Sequence, residues 1–426
     1  MEPYDLRNLV LDLLIRTMEK GELSSRVLRT LYDNPGLSSR DRAFANRLYS
    51  GTLEKLIYLD YILNAFSRTP VRKMKPVIRN ILRMSLYQMR FMDSVPVPVS
   101  IHEGVKLTRK RGLSGLTGFV NGILRMIDRN ADDLDLPDYV KSCAPEWLYK
   151  LIGSQYGTEQ ADAFFRRIQE TQEDVMIRFC TVSETPEQIL KLLQEDGCEV
   201  RKLEGTTECY GIRGFDRLTS LMAFQKGYIL IQDPSSVMAA RAAYEMEPNP
   251  RCVLDVCAAP GGKSLYLAEK CPEALVIARD LHAGKTDRIR ENADRLGITN
   301  IEVQIRDARI PDPDMKEKAD LVICDLPCSG LGVIGRKPDI MYRLKPEDLT
   351  SLVLLQREIL TTAQQYVKPG GALLYSTCTV NRQENADNAE WFRDQYGLQM
   401  ICEKQCLPGR DDYDGFYYAG FRRNET

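Results

Sequence analysis

Two cysteines, Cys328 and Cys378, each follow a short apolar stretch that is typical of a β-strand. They lie in residues 325–330, DLPCSG, and residues 375–379, YSTCT. A thiolate can attack an electrophilic carbon, and a second group beside it can move a proton. Upstream, residues 253–264, VLDVCAAPGGKS, form an apolar strand, a small-residue bend and a helix start. Such a bend lets the backbone approach a ligand closely. Together these features indicate covalent attack on a nucleic-acid base.

Three acidic residues end successive strands of the same predicted sheet. These are Asp280, Asp307 and Asp325, and Asp280 lies 25 residues beyond Asp255. This spacing is close to the interval of about 20 residues at which an acid reaches a ribose hydroxyl. Each acid alone could instead cap a helix. The three together, beside a glycine turn, favour a nucleoside ligand.

The elements that position these residues alternate between strand and helix patterns. Short apolar strands are predicted at residues 253–256, 275–278, 301–305, 321–324 and 372–375, with helices such as 286–296 and 346–367 between them. This alternation predicts a doubly wound, mostly parallel sheet of the Rossmann-like α/β class.

The amino-terminal part differs in charge and in pattern. Residues 1–130 hold 22 Lys and Arg against 12 Asp and Glu, whereas the remainder holds 36 against 48. Amphipathic patterns at residues 42–66 and 77–92, without strand alternation, predict an all-α bundle. The chain therefore joins a basic module to an acidic one.

Within the basic module, five cations are predicted to share one face of a helix. They are Arg72, Lys75, Arg79, Arg83 and Arg90, and no acid interrupts them on that face. The stripe is either a solvated helix face or a surface that contacts phosphates. A stripe without acidic partners gains more from a polyanion than from water.

Residues 130–138, rich in Asp, predict a linker, and a small α+β unit follows it. Its predicted elements are helices at residues 146–168 and 186–195, and strands at 175–180, 199–203 and 227–233. The predicted domains are therefore residues 1–135 (helical), 136–235 (α+β, linking or RNA-binding) and 236–426 (α/β).

The composition argues against membrane, secreted, disulfide-bonded and metal-binding proteins. No apolar run reaches the roughly 18 to 20 residues of a membrane span, and the amino terminus lacks the pattern of a signal peptide, so we expect a cytoplasmic protein without membrane contact. The 12 cysteines include no Cys-x-x-Cys pair, and there are two histidines. We therefore expect no disulfide and no metal site.

Residues 257–263, 325–330 and 376–379, with Glu384-Asn385, closely resemble the S-adenosylmethionine-dependent RNA 5-methylcytosine methyltransferases. Residues 1 to 130 resemble a NusB-type RNA-binding helical domain. Residues 232–236, QDPSS, and 414–419, DGFYYA, extend the resemblance to those members of the family that modify small-subunit (16S) rRNA.

The resemblance implies a role for each catalytic residue. Cys378 attacks C6 of cytosine. Cys328 serves the later removal of the C5 proton, which lets the Cys378 thiolate leave, either as a general base or through a water that it positions. Asp325 hydrogen-bonds the cytosine edge and supports protonation at N3. Lys263 is the candidate for the positive potential that favours a thiolate.

The resemblance also implies the binding sites. S-adenosylmethionine is the cofactor, with Asp280 at the ribose and Asp307 at the adenine edge. Asp325 and the glycine turn complete the site. The turn residues are Cys257, Ala258, Ala259, Pro260, Gly261, Gly262 and Lys263. Cys257 and Cys324 are also predicted to pack in the core. Arg336 and Lys337 join the basic stripe as predicted RNA contacts.

The implied partner is unassembled or early-assembly 16S rRNA, bound by a monomer. Three alternatives remain open. The enzyme could act on another RNA such as tRNA, it could methylate an exocyclic amine, or the chain could be a catalytically silent NusB-like scaffold. The sequence DLPC at 325–328 argues against amine methylation, which usually employs an Asp/Asn-Pro-Pro-aromatic turn, and the second cysteine with the three acids argues against a scaffold.

Overall fold

The fold is described from a computed structural model, which covers residues 5–170, 174–203, 206 and 208–425. The contacts within the chain define two compact units. The first contains the described residues up to Gln169 together with Ile334–Arg343, and the second contains residues from Glu170 to Val333 and from Leu344 onward. The division into three domains at residues 135 and 235 stays a prediction.

The first unit is helical, which confirms the all-α prediction. Its helices are Leu6–Met18, Ser24–Tyr32, Ser39–Glu54, Leu56–Phe66, Pro76–Phe91, Val97–Lys110, Thr117–Asn130, Asp138–Lys141, Glu146–Tyr156, Thr158–Gln169 and Ile340–Arg343. The amphipathic stretch predicted at 42–66 is two helices, which meet at Lys55. Fully buried leucines and isoleucines on their inner faces, including Leu48, Ile62 and Ile81, form one apolar core.

The premise that the basic stripe lacks acidic partners is wrong. Arg79 pairs with Glu19, Arg83 with Asp60 at 2.7 Å, and Arg90 with Asp132 at 2.6 Å. These acids come from other segments of the chain, so the spacing of the cations could not reveal them.

The prediction that all five cations lie on one helix is also wrong for Arg72 and Lys75. Arg72 and Lys75 precede the helix Pro76–Phe91, which contains the other three cations. Both are exposed. An RNA-contacting role for the five cations stays a prediction, but the ion pairs give three of them a structural role.

Arg83 is the member of the stripe whose replacement tests this structural role. Its side chain is buried, and its guanidinium also donates to Asn80 Oδ1 at 3.1 Å. Removing one partner of such a pair leaves the other charge uncompensated, so Arg83→Met should lower the free energy of unfolding by about 2 kcal/mol, a discounted value because Asp60 is partly exposed. Arg72→Met, at an exposed position, is the matched control, and both are compared by urea unfolding. Unchanged stability in Arg83→Met together with weakened RNA binding would assign the residue to phosphate contact instead.

The second unit begins with a small antiparallel sheet. Its strands are β1 Val175–Phe179, β2 Glu199–Lys202, β3 Cys209–Arg213 and β4 Ile229–Ile231, in the order β2-β3-β1-β4. Helices Pro186–Glu195 and Met222–Gln225 accompany it. The sequence patterns did not predict β3, where Gly211 interrupts a short apolar run.

The main sheet of the second unit has seven strands. They are β5 Cys252–Asp255, β6 Leu275–Asp280, β7 Ile301–Ile305, β8 Ala319–Asp325, β9 Val367–Thr377, β10 Gln399–Cys406 and β11 Phe416–Arg422, in the order β10-β11-β9-β8-β5-β6-β7. Strands β5 to β9 pair in parallel, which confirms the predicted α/β fold. Strands β10 and β11 extend the sheet antiparallel and were not predicted.

Helices cover the faces of this sheet, and the strand order sets the position of the site. The helices are Pro234–Met246, Gly262–Lys270, Ala283–Leu296, Pro346–Ala363 and Ala386–Tyr396. Strand β5 lies between β6, which follows it in sequence, and β8, so the order reverses here. Ligands of open α/β sheets bind at the carboxyl ends of the strands beside such a switch point. Among the described residues, no helix is both long and apolar enough to cross a membrane.

Candidate active site

A cavity of about 580 Å³ opens at the carboxyl ends of the strands beside this switch point. It brings together predicted residues that are far apart in sequence. Its lining includes Cys257, Ala259, Asp280, Asp307, Asp325, Cys328 and Cys378. The volume and the three acids suit a nucleoside ligand.

A second cavity, of about 290 Å³, shares Asp325 and Cys378 with the first. Its other lining residues include Gln232, Asp233, Ser236, Ala258, Pro260, Gly262, Lys263, Asp414 and Phe416. Sequence reasoning assigned no role to Gln232, Asp233, Ser236, Asp414 or Phe416. The signal that could have found them was the pair of motifs at 232–236 and 414–419, which served only for the resemblance.

The glycine turn reaches these cavities through two consecutive glycines, and the backbone at the first of them favours glycine. Gly261 has φ of 104°, in the left-handed region that side chains disfavour. A Cβ atom at Gly262 would lie 2.9 Å from Gln232 Nε2. The turn therefore brings backbone close to both cavities before the helix Gly262–Lys270 begins.

Asp280, at the end of β6, is buried and held by backbone amides. The amides of Ala259 and His282 both donate to its carboxylate at 3.3 Å, and Lys285 Nζ lies 3.4 Å away. Asp307, beyond β7, accepts hydrogen bonds from the side chain and amide of Arg309, which lower the pKa of the Asp307 carboxyl. Both acids therefore present carboxylates to the larger cavity.

Asp325 is the residue on which the two cavities converge. Lys263 Nζ donates to its Oδ2 at 2.7 Å, and Ser376 Oγ donates to its Oδ1 at 2.8 Å. Lys263 also donates to Ser236 Oγ at 3.1 Å, and its ammonium lies 4.7 Å from the centroid of the Phe416 ring. The charge of Lys263, predicted to favour a thiolate, is thus paired with the carboxylate of Asp325.

The sulfur atoms of Cys328 and Cys378 lie 3.4 Å apart. The hydrogen bond to Cys378, burial and the negative charge of Glu384 raise the pKa of the Cys328 thiol well above its ordinary value. The raised pKa disfavours the thiolate of Cys328, and either sulfur atom can be the donor in the hydrogen bond between the two thiols.

The other strand-end cysteines behave as packing residues. Cys324 is fully buried in the apolar core around β8 and β9, and Cys257 packs against that core from the cavity wall. Burial raises the pKa of the Cys257 thiol. In the described part of the chain, no cluster of three potential metal ligands occurs. Arg336 and Lys337 are exposed and belong to the first unit.

Comparison with known proteins decides the family. Residues 243–422 match the model described as 16S rRNA methyltransferase RsmB/F, and residues 5–129 match the NusB family. A Bacillus subtilis protein named "Probable ribosomal RNA small subunit methyltransferase B" is 37% identical, over 99% of this chain and 100% of its own. This chain belongs to the RsmB/F methyltransferase family. Its cofactor is therefore S-adenosylmethionine, and the larger cavity with its acids fits that molecule.

Two solved structures share the fold of this chain. The crystal structure of PH0851 superposes with a TM-score of 0.82 at 24% identity and covers 99% of both chains. The crystal structure described as NSun6 from Pyrococcus horikoshii with SFG superposes with a TM-score of 0.60 at 21% identity, over 66% of this chain and 98% of that one. At these identities the likeness shows the fold alone.

Asp255 supplies a test of the electrostatics beneath the turn. Burial raises the pKa of its carboxyl from 3.8 to about 7, although Ser264 Oγ donates to it. The folded state therefore holds a proton that the unfolded state has lost between about pH 4 and pH 7, and stability falls as pH rises through that window. Asp255→Asn should remove this part of the fall in the free energy of unfolding, which is on the order of 3 kcal/mol.

Urea unfolding at about pH 5 and about pH 7.5 checks this expectation. Asp287→Asn, which replaces an exposed acid in the same unit, is the control. Its free energy of unfolding should fall with pH as that of the wild type does. If Asp255→Asn and the control showed the same pH dependence, Asp255 would not carry the raised pKa.

Proposed function

We propose that this protein transfers a methyl group from S-adenosylmethionine to C5 of a cytosine in 16S rRNA, through a covalent bond between Cys378 and C6. The observation that carries the proposal is the meeting of two cavities at Asp325 and Cys378. The larger suits the cofactor, and the smaller suits a single flipped base. Cys328, beside Cys378, then has access to the same reacting atoms.

The first step makes C5 nucleophilic. The Cys378 thiolate forms a bond to C6, and the electron pair of the C5–C6 double bond shifts through the ring as N3 takes a proton from water. Asp325, fixed by Lys263 and Ser376, accepts the hydrogen bond from the protonated N3. The ring then has enamine character at C5.

The cofactor, held by the glycine turn, Asp280 and Asp307, supplies an electrophilic methyl group when bound. Once C5 is methylated, its proton must leave. The C5–H electron pair re-forms the double bond to C6, the sulfur–carbon bond breaks, and Cys378 leaves as a thiolate while N3 gives up its proton. The raised pKa of the Cys328 thiol disfavours its thiolate, and this favours removal of the C5 proton by a water that Cys328 positions.

Three observations support an RNA substrate of the small ribosomal subunit. The NusB family match covers the basic helical region, the RsmB/F match covers the catalytic domain, and the Bacillus subtilis relative is named for small-subunit rRNA. A cytosine in a loop or in unfinished rRNA leaves its stack at less cost than one in a duplex, so we propose unassembled or early-assembly rRNA as substrate and a monomer as the active form. Mapping bisulfite-resistant cytosines in rRNA from cells with and without the protein tests the target.

The two cysteines give the sharpest test of the mechanism. Cys378→Ala should abolish methylation and form no covalent protein–RNA species, because no bond to C6 can form. Cys328→Ala should still form the bond from Cys378 to C6 and methylate the base, but it should release the RNA slowly. A denaturation-resistant adduct should therefore accumulate. Denaturing gels with labelled RNA and labelled cofactor separate these outcomes. An adduct retained in Cys378→Ala but lost in Cys328→Ala would reverse the assignment, and full turnover in both variants would exclude the thiol mechanism.

Asp280 tests the cofactor site. Asp280→Ala should weaken binding of S-adenosylmethionine by about 1 to 3 kcal/mol, the cost of leaving a buried polar group without its partner. Titration calorimetry measures the affinity, with Asp287→Asn as the control for a neighbouring acid outside the cavity. Wild-type affinity in Asp280→Ala would place the ribose elsewhere.

A further inference from the structure

Glu384 is a fully buried carboxylate next to the cysteine loops. It lies in the short turn Arg382–Glu384 that follows β9. Four uncharged donors surround it: the Ser329 amide at 2.9 Å, Ser329 Oγ at 2.6 Å, Gln356 Nε2 at 3.0 Å and Asn381 Nδ2 at 3.1 Å. A carboxylate offers about four acceptor positions, so these donors fill it.

The donors come from the loops that contain the two cysteines. Ser329 directly follows Cys328, and Asn381 lies on the loop after Cys378. The loops also join each other, because Ser329 Oγ and Thr379 Oγ1 are 2.7 Å apart. The helix Pro346–Ala363 braces the first loop, since Gln356 Nε2 donates to Pro327 O at 2.9 Å as well as to Glu384.

Burying a carboxylate is costly unless each of its acceptor positions is satisfied. Moving either cysteine loop away from Glu384 would withdraw one or more donors and leave a buried charge with fewer hydrogen bonds. The network therefore resists separation of the loops. This resistance acts where the Cys328 and Cys378 sulfur atoms lie 3.4 Å apart.

We propose that Glu384 is a positioning residue that fixes the distance between the two cysteines and thereby permits release of the methylated base by Cys328. This role rests on the proposed function, because it takes the release step from that mechanism. Glu384 touches neither the base nor the cofactor in this role. It acts through Ser329 and Asn381 on the two loops.

Glu384→Gln is the informative substitution. It keeps the shape of the side chain but replaces one acceptor oxygen with an NH₂ group, which faces two of the four donors. Glu403→Gln is the control for the same chemical change at an exposed acid, because Glu403 lies on β10 and accepts a hydrogen bond from Tyr417 Oη at 2.6 Å. Ser329→Ala is a milder second variant, which removes one donor to Glu384 and the link to Thr379.

The first measurement needs neither RNA nor cofactor. Diamide converts the two thiols to a disulfide and is itself reduced to a hydrazine by the two hydrogens they lose; mass spectrometry of peptides follows the Cys328–Cys378 product. Glu384→Gln should slow this pairing about tenfold, the equivalent of one lost hydrogen bond to a charged group, and Ser329→Ala should slow it less. A rate in Glu384→Gln equal to or above that of Glu403→Gln would overturn the proposal.

The second measurement follows a single turnover on RNA. Glu384→Gln should bind cofactor with an affinity within about twofold of the wild type, form the adduct and transfer the methyl group, but release RNA at least about tenfold more slowly. Wild-type release would overturn the positioning role. If neither the wild type nor Cys328→Ala formed any adduct, the proposed function would fail, whereas the diamide result would still decide whether Glu384 fixes the two thiols.

Discussion

The ion pair between Lys263 and Asp325 is the interaction on which the site depends. It joins the helix after the glycine turn to the end of β8, and Ser376 on β9 holds the second carboxylate oxygen. The Lys263 side chain is only 4% exposed, whereas that of Asp325 is 34% exposed, so the cation is buried and its partner faces the cavities. Such a pair is weak evidence for stability, because desolvation opposes its attraction. Its consequence is geometric: Asp325 cannot rotate away without leaving a buried cation unpaired.

This constraint places one carboxylate in the walls of both cavities. The larger cavity, which suits the cofactor, and the smaller cavity, which we propose for the base, share Asp325, and Phe416 from β11 lies over the ammonium that holds it. The antiparallel strands at the sheet edge thus contribute to the smaller cavity as well as to the fold. Glu384 provides the corresponding constraint for the thiols, using uncharged donors in place of a cation.

Glu384, a buried carboxylate, affects the proton equilibrium of the Cys328 thiol beside it. The hydrogen bond to Cys378, burial and the negative charge of Glu384 raise the pKa of the Cys328 thiol. The proposed mechanism makes Cys378 the nucleophile and gives Cys328 a part in release, although both are the same residue type.

The sequence by itself determined the fold class, the glycine turn, and the position of the acids and of the two thiols near the ends of strands. These follow from local apolar runs, from glycine's freedom at positive φ and from residue type, all of which are legible over a few neighbouring positions. Only the tertiary structure decided the separation of the cysteines, the partners of Glu384 and the pairing of β10 with β11. It also showed that Arg79, Arg83 and Arg90 pair with acids 60, 23 and 42 residues away. Local periodicity carries no information about such distant partners, because they meet only when the chain packs.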